Sequence, residues 1–297
     1  MNKTRLIPVL EVLFAVIVWG ASFVATKVAL RYVSPVTVVW TRFAIGVVIL
    51  GLAVLLRRQF ALPEFKELAY LALLGFLGIT FHQWLQSTGL LTAQATTTSW
   101  IVATTPIFMA LLGWLVLREK LRWWQALGIA LAAAGVLLVV SRGDISALSS
   151  GKFGTVGDFL ILISSLNWAV FSTLSRRGLR LFPATRMMFF VMGFGWIFTS
   201  FLFFSGPGMG EIQQLAWDGW MGVGFLGVFC SGLAYIAWYD ALKALPVAQA
   251  GAFVYFEPLV TLIVAAVILG EAFTAASLLG GASILIGVGL VNRKIVR

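Results

Sequence analysis

The chain has 297 residues, of which 61% are hydrophobic and 11% are charged. A soluble globular protein is about 45–50% apolar and about 25% charged, so an ordinary soluble domain is excluded, and so is disorder, which requires low hydrophobicity. The net charge of +10 does not indicate nucleic-acid binding, because the Lys and Arg residues lie in short clusters between long apolar runs. We therefore expect an integral membrane protein whose partner is the lipid bilayer, with no nucleic acid.

The sequence contains few residues that could bind a metal ion or a cofactor. Cys230 is the single cysteine and His82 the single histidine, which excludes an internal disulfide and the usual multi-ligand zinc or iron sites. No glycine-rich phosphate loop stands out. We expect no cofactor, no metal and no enzymatic activity.

Ten apolar segments are long enough for the roughly 20 residues that a membrane-spanning helix needs. They lie at about 7–27, 36–56, 69–88, 96–117, 123–141, 157–175, 185–205, 217–239, 247–269 and 274–292. The connections between them are short, and the longest, near 142–156, falls at the middle of the chain. The predicted fold is all-α with ten transmembrane helices.

Loop charge predicts the orientation. If the N-terminus is cytoplasmic, 16 of the 21 Lys and Arg residues lie in cytoplasmic segments and four in external ones, with Arg42 inside a span. Cytoplasmic loops collect Lys and Arg, so both termini are predicted to face the cytoplasm.

The two halves of the sequence resemble each other. When residues 106–140 are shifted by 152, ten of the 35 pairs are identical. The least common matches are Pro106/Pro258, Glu119/Glu271, Gly128/Gly280 and Gly135/Gly287. This predicts two five-helix repeats, 1–145 (helices 1–5) and 155–297 (helices 6–10). Because five is odd, the second repeat must enter the membrane from the opposite side, and such inverted repeats are common in secondary transporters.

Several short motifs carry a resemblance to a known family. They are Trp19-Gly20, Pro35 with Arg42, Pro106 followed by Arg118-Glu119-Lys120-Leu121, Phe256-Glu257-Pro258, Gly270-Glu271, and Gly280 with Gly287. In this order and spacing the chain resembles the EamA-type ten-helix exporters of the drug/metabolite transporter superfamily. The resemblance implies export of small metabolites across the bacterial inner membrane through a central cavity between two five-helix bundles. Phe190 stands where the second half would carry an equivalent of Arg42.

Glu257 is the first candidate for a functional residue. It lies about ten residues into helix 9, directly before Pro258, and a charged acid near the bilayer centre costs on the order of 2.5–3.5 kcal/mol. Glu257 could carry a coupling proton or bind a substrate amine. Equally, a protonated Glu257 could hydrogen-bond backbone freed by Pro258. Thr105 occupies the equivalent position in the first half.

Polar and aromatic residues within other spans are the remaining candidates, since a polar group in hydrocarbon needs a cavity or a partner. Helix 3 carries His82, Gln83 and Gln86, and we favour cavity lining over hydrogen bonding to a neighbouring helix. Trp and Tyr suit a cavity for an amphipathic molecule, although core packing is the usual role of such rings. The further candidates are Trp19, Trp100, Asn167, Trp168, Tyr235, Trp238, Tyr239 and Tyr255.

Structural roles are expected for a second set of residues. Arg42 lies near the outer face and is predicted to extend its charge to that surface. Glu119 and Glu271 occupy equivalent turns and are expected at the start of the next helix, where an acid suits the helix dipole. The glycines at 128, 135, 280 and 287 are expected to permit close helix contact.

Two transport functions and two other classes are consistent with these features. The leading hypothesis is a secondary transporter that exports amino acids or related amphipathic compounds by alternating access. The alternative is proton-coupled multidrug efflux through Glu257, with protons as a further partner. A membrane enzyme for lipid-linked substrates is less favoured, because Glu11, His82 and Glu257 are scattered in depth. A passive channel is the fourth possibility.

Overall fold

A computed structural model describes residues 3–115, 122–144, 154–245, 250–251 and 253–292. These residues form helices and turns, with no β-strand among them. The helices are α1 (Lys3–Ala29), α2 (Pro35–Leu56), α3 (Phe65–Gly89), α4 (Ala95–Leu115), α5 (Trp123–Val140), α6 (Val156–Leu181), α7 (Ala184–Ser205), α8 (Trp217–Ala244), α9 (Val254–Leu269) and α10 (Ala275–Asn292).

Nine of these helices, within the described part of the chain, are long and apolar enough to cross a membrane. They coincide with nine of the ten predicted spans. The remaining span, predicted over 247–269, corresponds to α9, whose described length of Val254–Leu269 is shorter than a full crossing. The structure therefore defines a multi-pass helical membrane protein, and the tenth crossing stays a prediction.

Four of the helices are interrupted. The middle of α3, Phe76–Phe81, and the middle of α8, Leu226–Leu233, are π-helical. In α4, turns at residues 103–104 separate Ala95–Val102 from Thr105–Leu115, and α9 opens with a 3₁₀ turn over Val254–Phe256. The last two irregularities lie just before Pro106 and Pro258. Proline interrupts the regular helix there, because it lacks an N–H and its ring clashes with the carbonyl four residues earlier.

Helices α5 and α10 pack against each other through the predicted glycines. A Cβ atom at Gly128 would lie 2.5 Å from the carbonyl oxygen of Gly287, and one at Gly135 would lie 2.6 Å from that of Gly280. The order of these two contacts makes the helices antiparallel. Only glycine permits backbones to approach this closely, so the packing role predicted for these residues is confirmed.

Two acidic residues cap the start of a helix that is distant from them in the sequence. Glu271 accepts hydrogen bonds from the backbone N–H groups of Ala95 and Thr96, at 2.8 and 3.0 Å, and from the Thr96 hydroxyl at 2.7 Å. It therefore stabilises the positive end of α4. The expectation that Glu271 acts at the start of the next helix was wrong, because the loop before α10 folds over the start of α4. Glu119 lies outside the described residues.

Glu211, in the one-turn helix Gly208–Ile212, caps α2 in the same way. Its Oε2 accepts hydrogen bonds from the Ser34 N–H at 2.9 Å, the Ser34 hydroxyl at 2.7 Å and the Thr37 hydroxyl at 2.6 Å. Partial burial disfavours the charged carboxylate, but these hydrogen bonds outweigh it and lower the pKa of Glu211 below its ordinary value. The charge therefore persists at physiological pH, where it holds the α7–α8 connection against α2.

The largest hydrophobic core lies between α2, α3, α6, α7 and α8. Its buried members include Phe43, Leu74, Phe171, Met188 and Tyr235. Helix α1 packs against α8 and α9 beside this core. Several of the aromatic candidates lie at the boundary of the two groups of helices, where the candidate site is found.

Candidate functional site

The Trp19-Gly20 and Glu257-Pro258 motifs meet where α1 crosses α9. A Cβ atom at Gly20 would lie 2.7 Å from the carbonyl oxygen of Glu257, and the Thr261 hydroxyl donates a hydrogen bond of 2.7 Å to the Gly20 carbonyl. Glycine is required at position 20 because any side chain would push α9 away. The contact brings the Glu257 region next to Trp19, although the two are 238 positions apart in the sequence.

Four aromatic rings form a connected group around Trp19. The Trp19 ring centroid lies 5.7 Å from that of Tyr235 and 5.4 Å from that of Trp238, and the Tyr235 and Tyr239 centroids are 6.5 Å apart. The indole N–H of Trp19 donates a hydrogen bond of 3.2 Å to the Cys230 carbonyl within the π-helical part of α8. The structure therefore brings together four of the predicted site residues, from α1 and α8.

His82 and Trp168 form a second aromatic pair, between α3 and α6. Their ring centroids are 4.7 Å apart, and the Nδ1 atom of His82 lies 3.1 Å from the Ser164 carbonyl oxygen. A carbonyl can only accept, so Nδ1 carries the proton, and in the neutral ring Nε2 is an acceptor. Trp19 and Trp168 both pack against the largest core.

Arg42 and Gln83 are joined inside the bundle. The Arg42 guanidinium donates from Nε to the Ser231 hydroxyl at 3.1 Å and from one terminal nitrogen to the Gln83 amide oxygen at 3.0 Å. Arg42 is only 5% exposed. The prediction that its charge reaches the outer surface was therefore wrong, because partners on α3 and α8 hold it in the interior.

Asn167 and Gln86 occupy different environments. The Asn167 side chain donates a hydrogen bond of 2.7 Å to the Leu77 carbonyl, inside the π-helical part of α3, where the regular helix pattern is altered. Asn167 therefore stabilises the irregular backbone. Gln86 is half-buried, one turn along α3 from His82, and its amide makes no hydrogen bond with the residues that the structure describes.

Trp100 and Tyr255 lie apart from the other candidates. Both belong to the cluster around α5 and α10, where the Trp100 indole N–H donates to the Ser277 hydroxyl at 3.1 Å and the Asn292 amide donates to the Tyr255 hydroxyl at 2.6 Å. Trp100 also closely contacts the backbone at Gly281. The structure thus does not bring these two rings together with Trp19, His82 or Glu257.

Glu257 is deep within the bundle, yet its side chain retains partial exposure. Among the described residues its carboxyl group has no hydrogen-bond or ion-pair partner. Cys230 lies within electrostatic range of both Glu257 and Arg42. The equivalent residue Thr105 instead donates to its own helix, at the Val102 carbonyl, so only one half of the chain carries an acid here.

Metal binding finds no support in the described part of the chain, which contains no group of three or more His, Cys, Asp or Glu side chains that could hold an ion. What the arrangement offers is an interior region with aromatic faces, one carboxyl group and one guanidinium. Such a region can bind an organic molecule that has both apolar and charged parts.

A multi-pass helical bundle with charged and aromatic groups in its interior is typical of membrane transporters. The sequence model of the EamA-like transporter family matches this chain twice, over residues 6–141 and 155–293. The chain belongs to this family, and the resemblance found in the sequence motifs is confirmed. It is a membrane transporter.

Individual relatives are similar along nearly their whole length. An uncharacterized transporter of Archaeoglobus fulgidus is 28% identical over 99% of this chain and 98% of its own. A probable terminal-alkyne amino-acid exporter of Streptantibioticus cattleyicolor is 27% identical over 94% of this chain and 91% of its own. The uncharacterized inner membrane transporter YedA of Escherichia coli is 27% identical over 98% and 93%.

A protein of known crystal structure has the same fold. It superposes with a TM-score of 0.64, covering 98% of this chain and 97% of that chain, at 20% sequence identity.

Sequence reasoning missed the interior position of Arg42 and its partner Ser231. A signal was available, because an ionisable residue inside a membrane span marks a functional site more often than a surface anchor. Ser231 gave no such signal. Serine is common in membrane helices, where its hydroxyl usually forms a hydrogen bond with a backbone carbonyl of the same helix.

Proposed function

We propose that this protein is a secondary active transporter that exports small amphipathic metabolites, such as amino acids, by alternating access. The observation that carries the proposal is the region between α1, α3, α6, α8 and α9, where Glu257 lacks a partner among the described residues and lies beside the Trp19 aromatic group. An ionisable group that lies in the membrane interior without a protein partner is suited to a ligand that supplies one.

The alternating-access mechanism rests on two inverted repeats, 1–145 and 155–297, that together provide ten spans. Four observations support this arrangement. The family matches each half separately, α5 and α10 are antiparallel with reciprocal glycine contacts, π-helical segments occur in both α3 and α8, and proline-associated irregularities occur in both α4 and α9. Inverted repeats supply two mirror-related states, one open to each side of the membrane.

The proposed site contains ten of the predicted residues. They are Trp19, His82, Gln83, Gln86, Asn167, Trp168, Tyr235, Trp238, Tyr239 and Glu257. The aromatic faces suit the apolar part of a substrate, and Glu257 suits a protonated amine. Trp100 and Tyr255 are left out, because their polar groups bond to α10 and they pack in a separate cluster.

The family and the loop charge support the proposed direction of transport and the proposed location. The amino-acid exporter among the relatives and the inner membrane transporter YedA support export through the inner membrane of a bacterium. The 16-to-four distribution of Lys and Arg supports cytoplasmic termini.

Export of amino-acid-like compounds is tested by growth. A bacterial strain that expresses this protein is expected to tolerate at least one toxic amino-acid analogue at a concentration that stops the control strain, because export lowers the internal concentration. The control strain expresses the Gly20→Leu variant, in which α1 and α9 cannot approach. Equal sensitivity of both strains to every analogue contradicts the proposal.

Proton-coupled multidrug efflux is the second candidate, favoured by the unpartnered carboxyl of Glu257. If Glu257 carries the coupling proton, Glu257→Gln is expected to abolish drug uptake driven by a pH gradient into inverted membrane vesicles, because an amide does not titrate. Exchange of substrate without a gradient is expected to persist. Unchanged pH-driven uptake by Glu257→Gln rules out this coupling role, and Glu64→Gln, at an exposed position, serves as the control.

A further inference from the structure

Arg42 is a buried cation without an anionic partner. Its only hydrogen-bond acceptors among the described residues are the Ser231 hydroxyl and the Gln83 amide, both neutral, and it forms no ion pair within that part of the chain. Burial of an unpaired charge within a membrane span is costly. A purely structural link between α2, α3 and α8 would need no charge.

The hydrogen-bond capacity of Arg42 is only partly used. A guanidinium has five N–H donors in a planar fork, and two of them are occupied by Ser231 and Gln83. The second terminal nitrogen donates to no described residue, so adjacent N–H groups on the two terminal nitrogens stay available. This is the geometry with which arginine binds a carboxylate through two parallel hydrogen bonds.

Arg42 faces the same region as Glu257. Ser231, which holds the guanidinium, follows Cys230, and Cys230 lies within electrostatic range of Arg42 and Glu257 alike. The Cys230 carbonyl in turn accepts the Trp19 indole N–H, and Tyr235 lies within electrostatic range of Arg42. The Arg42 guanidinium and the Glu257 carboxyl group thus both lie near the aromatic group around Trp19, and they form no ion pair with each other.

We propose that Arg42 binds the carboxylate of the transported substrate while Glu257 receives its amino group, so that the site selects zwitterionic α-amino acids. This inference rests on the proposed function and adds to it a substrate charge pattern and the residue that reads it. Ser231 and Gln83 act as positioning residues, because they accept hydrogen bonds from Nε and from one terminal nitrogen and leave the second terminal nitrogen for the ligand.

The test compares each amino acid with its own amide. The purified full-length protein is heated in detergent with each of the 20 common L-amino acids or with the corresponding C-terminal amide, and binding is read from the rise in melting temperature with concentration. The assay is run at about pH 6, where both amines are protonated, so that acid and amide differ in the carboxylate alone. The amino acid that stabilises the protein most is expected to bind at least about tenfold more tightly than its amide, since a neutral amide cannot accept charge-assisted hydrogen bonds from the guanidinium.

Variants separate recognition from structure. Arg42→Gln is expected to remove the acid-over-amide preference. Arg42→Lys, which keeps the charge but loses the fork, is expected to reduce it. Arg58→Gln is the matched control, because it makes the same substitution at an exposed arginine after the end of α2, outside the proposed site, and the preference is expected to remain. A merely structural Arg42 would alter the melting temperature of the ligand-free protein and leave the ratio of the two affinities unchanged.

Three results would overturn the inference. If acid and amide bind the wild-type protein equally, the site binds amino compounds but does not read the carboxylate, and the proposed function survives. If Arg42→Gln or Arg42→Lys retains the full preference, another group reads the carboxylate. If no amino acid and no amide stabilises the protein, the proposed substrate class and this inference fail together. Because the wild-type comparison needs no variant, a misfolded Arg42→Gln protein leaves the test intact.

Discussion

Replacement of His82 or Trp168 by alanine is expected to abolish export while the protein is still produced and inserted. The centroids of the two rings lie 4.7 Å apart between α3 and α6, and His82 is anchored to the Ser164 carbonyl. Removal of either ring opens one wall of the proposed site and removes a contact surface for the apolar part of the substrate. The loss is measured in cells loaded with a radiolabelled amino acid, as a decrease in its efflux. The amino acid used is the natural parent of the toxic analogue that the expressing strain tolerates.

The matched control lies two residues along the same helix. Trp84 is 38% exposed on the outside of α3, so Trp84→Ala removes as large a ring from the same helix without touching the proposed site. Its efflux is expected to stay close to that of the wild-type protein. Normal efflux in both His82→Ala and Trp168→Ala would mean that the substrate binds elsewhere in the bundle.

Replacement of Gly287 by valine is expected to destabilise the protein more than any change at the site. A Cβ atom at this position would overlap the carbonyl oxygen of Gly128 and closely approach Ala132 on α5. Neither contact atom can rotate away, because both belong to backbone, so α10 must separate from α5. Overpacking of this kind typically costs about 1–3 kcal/mol, and backbone displacement adds to it.

Gly289→Val on the same helix is the control for Gly287→Val. A Cβ atom at Gly289 would have no other atom within 4 Å, and Gly289 is exposed. The two variants add the same side chain to the same helix, so the intrinsic preference of valine cancels. Melting temperatures of the purified proteins in detergent are compared. Equal melting temperatures for the two variants would contradict the close packing of α5 and α10.

The positions of the membrane helices could be predicted well because the signal is local. A run of about 20 apolar residues is required by the thickness of the hydrocarbon region, whatever the rest of the chain does. Nine such runs are helices of sufficient length in the described residues, and the family resemblance followed from short motifs in a fixed order. The glycine spacing on α5 and α10 was equally readable, since seven residues return to the same helix face.

The irregular parts of the helices were not predicted. The π-helical segments Phe76–Phe81 of α3 and Leu226–Leu233 of α8 combine apolar residues with glycine and one hydroxyl residue each. Regular membrane helices have the same composition, so the sequence did not reveal these segments. They depend on partners from elsewhere, such as the Asn167 amide at the Leu77 carbonyl. Such a partner is a product of packing, which sequence periodicity does not contain.

The candidate site was predicted in part. Polarity within an apolar span drew attention to Glu257, His82 and Gln83, because such groups need a cavity or a partner in hydrocarbon. It did not reveal which residues meet. Trp100 seemed equivalent to the others by composition, yet its indole bonds to Ser277 in a separate cluster, and Arg42 seemed peripheral by depth, yet it is held in the interior.

The sequence by itself determined that this chain is a helical membrane protein of the EamA-like transporter family, because hydropathy, loop charge and motif order are properties of the chain alone. Only the tertiary structure decided the contacts across the bundle: Glu271 at the start of α4, Arg42 against Ser231 and Gln83, and Trp19-Gly20 against Glu257. The physical reason is that lipid satisfies no polar group. Each buried charge or amide must therefore find a partner on whichever helix the fold places beside it, at a sequence distance that local patterns do not encode.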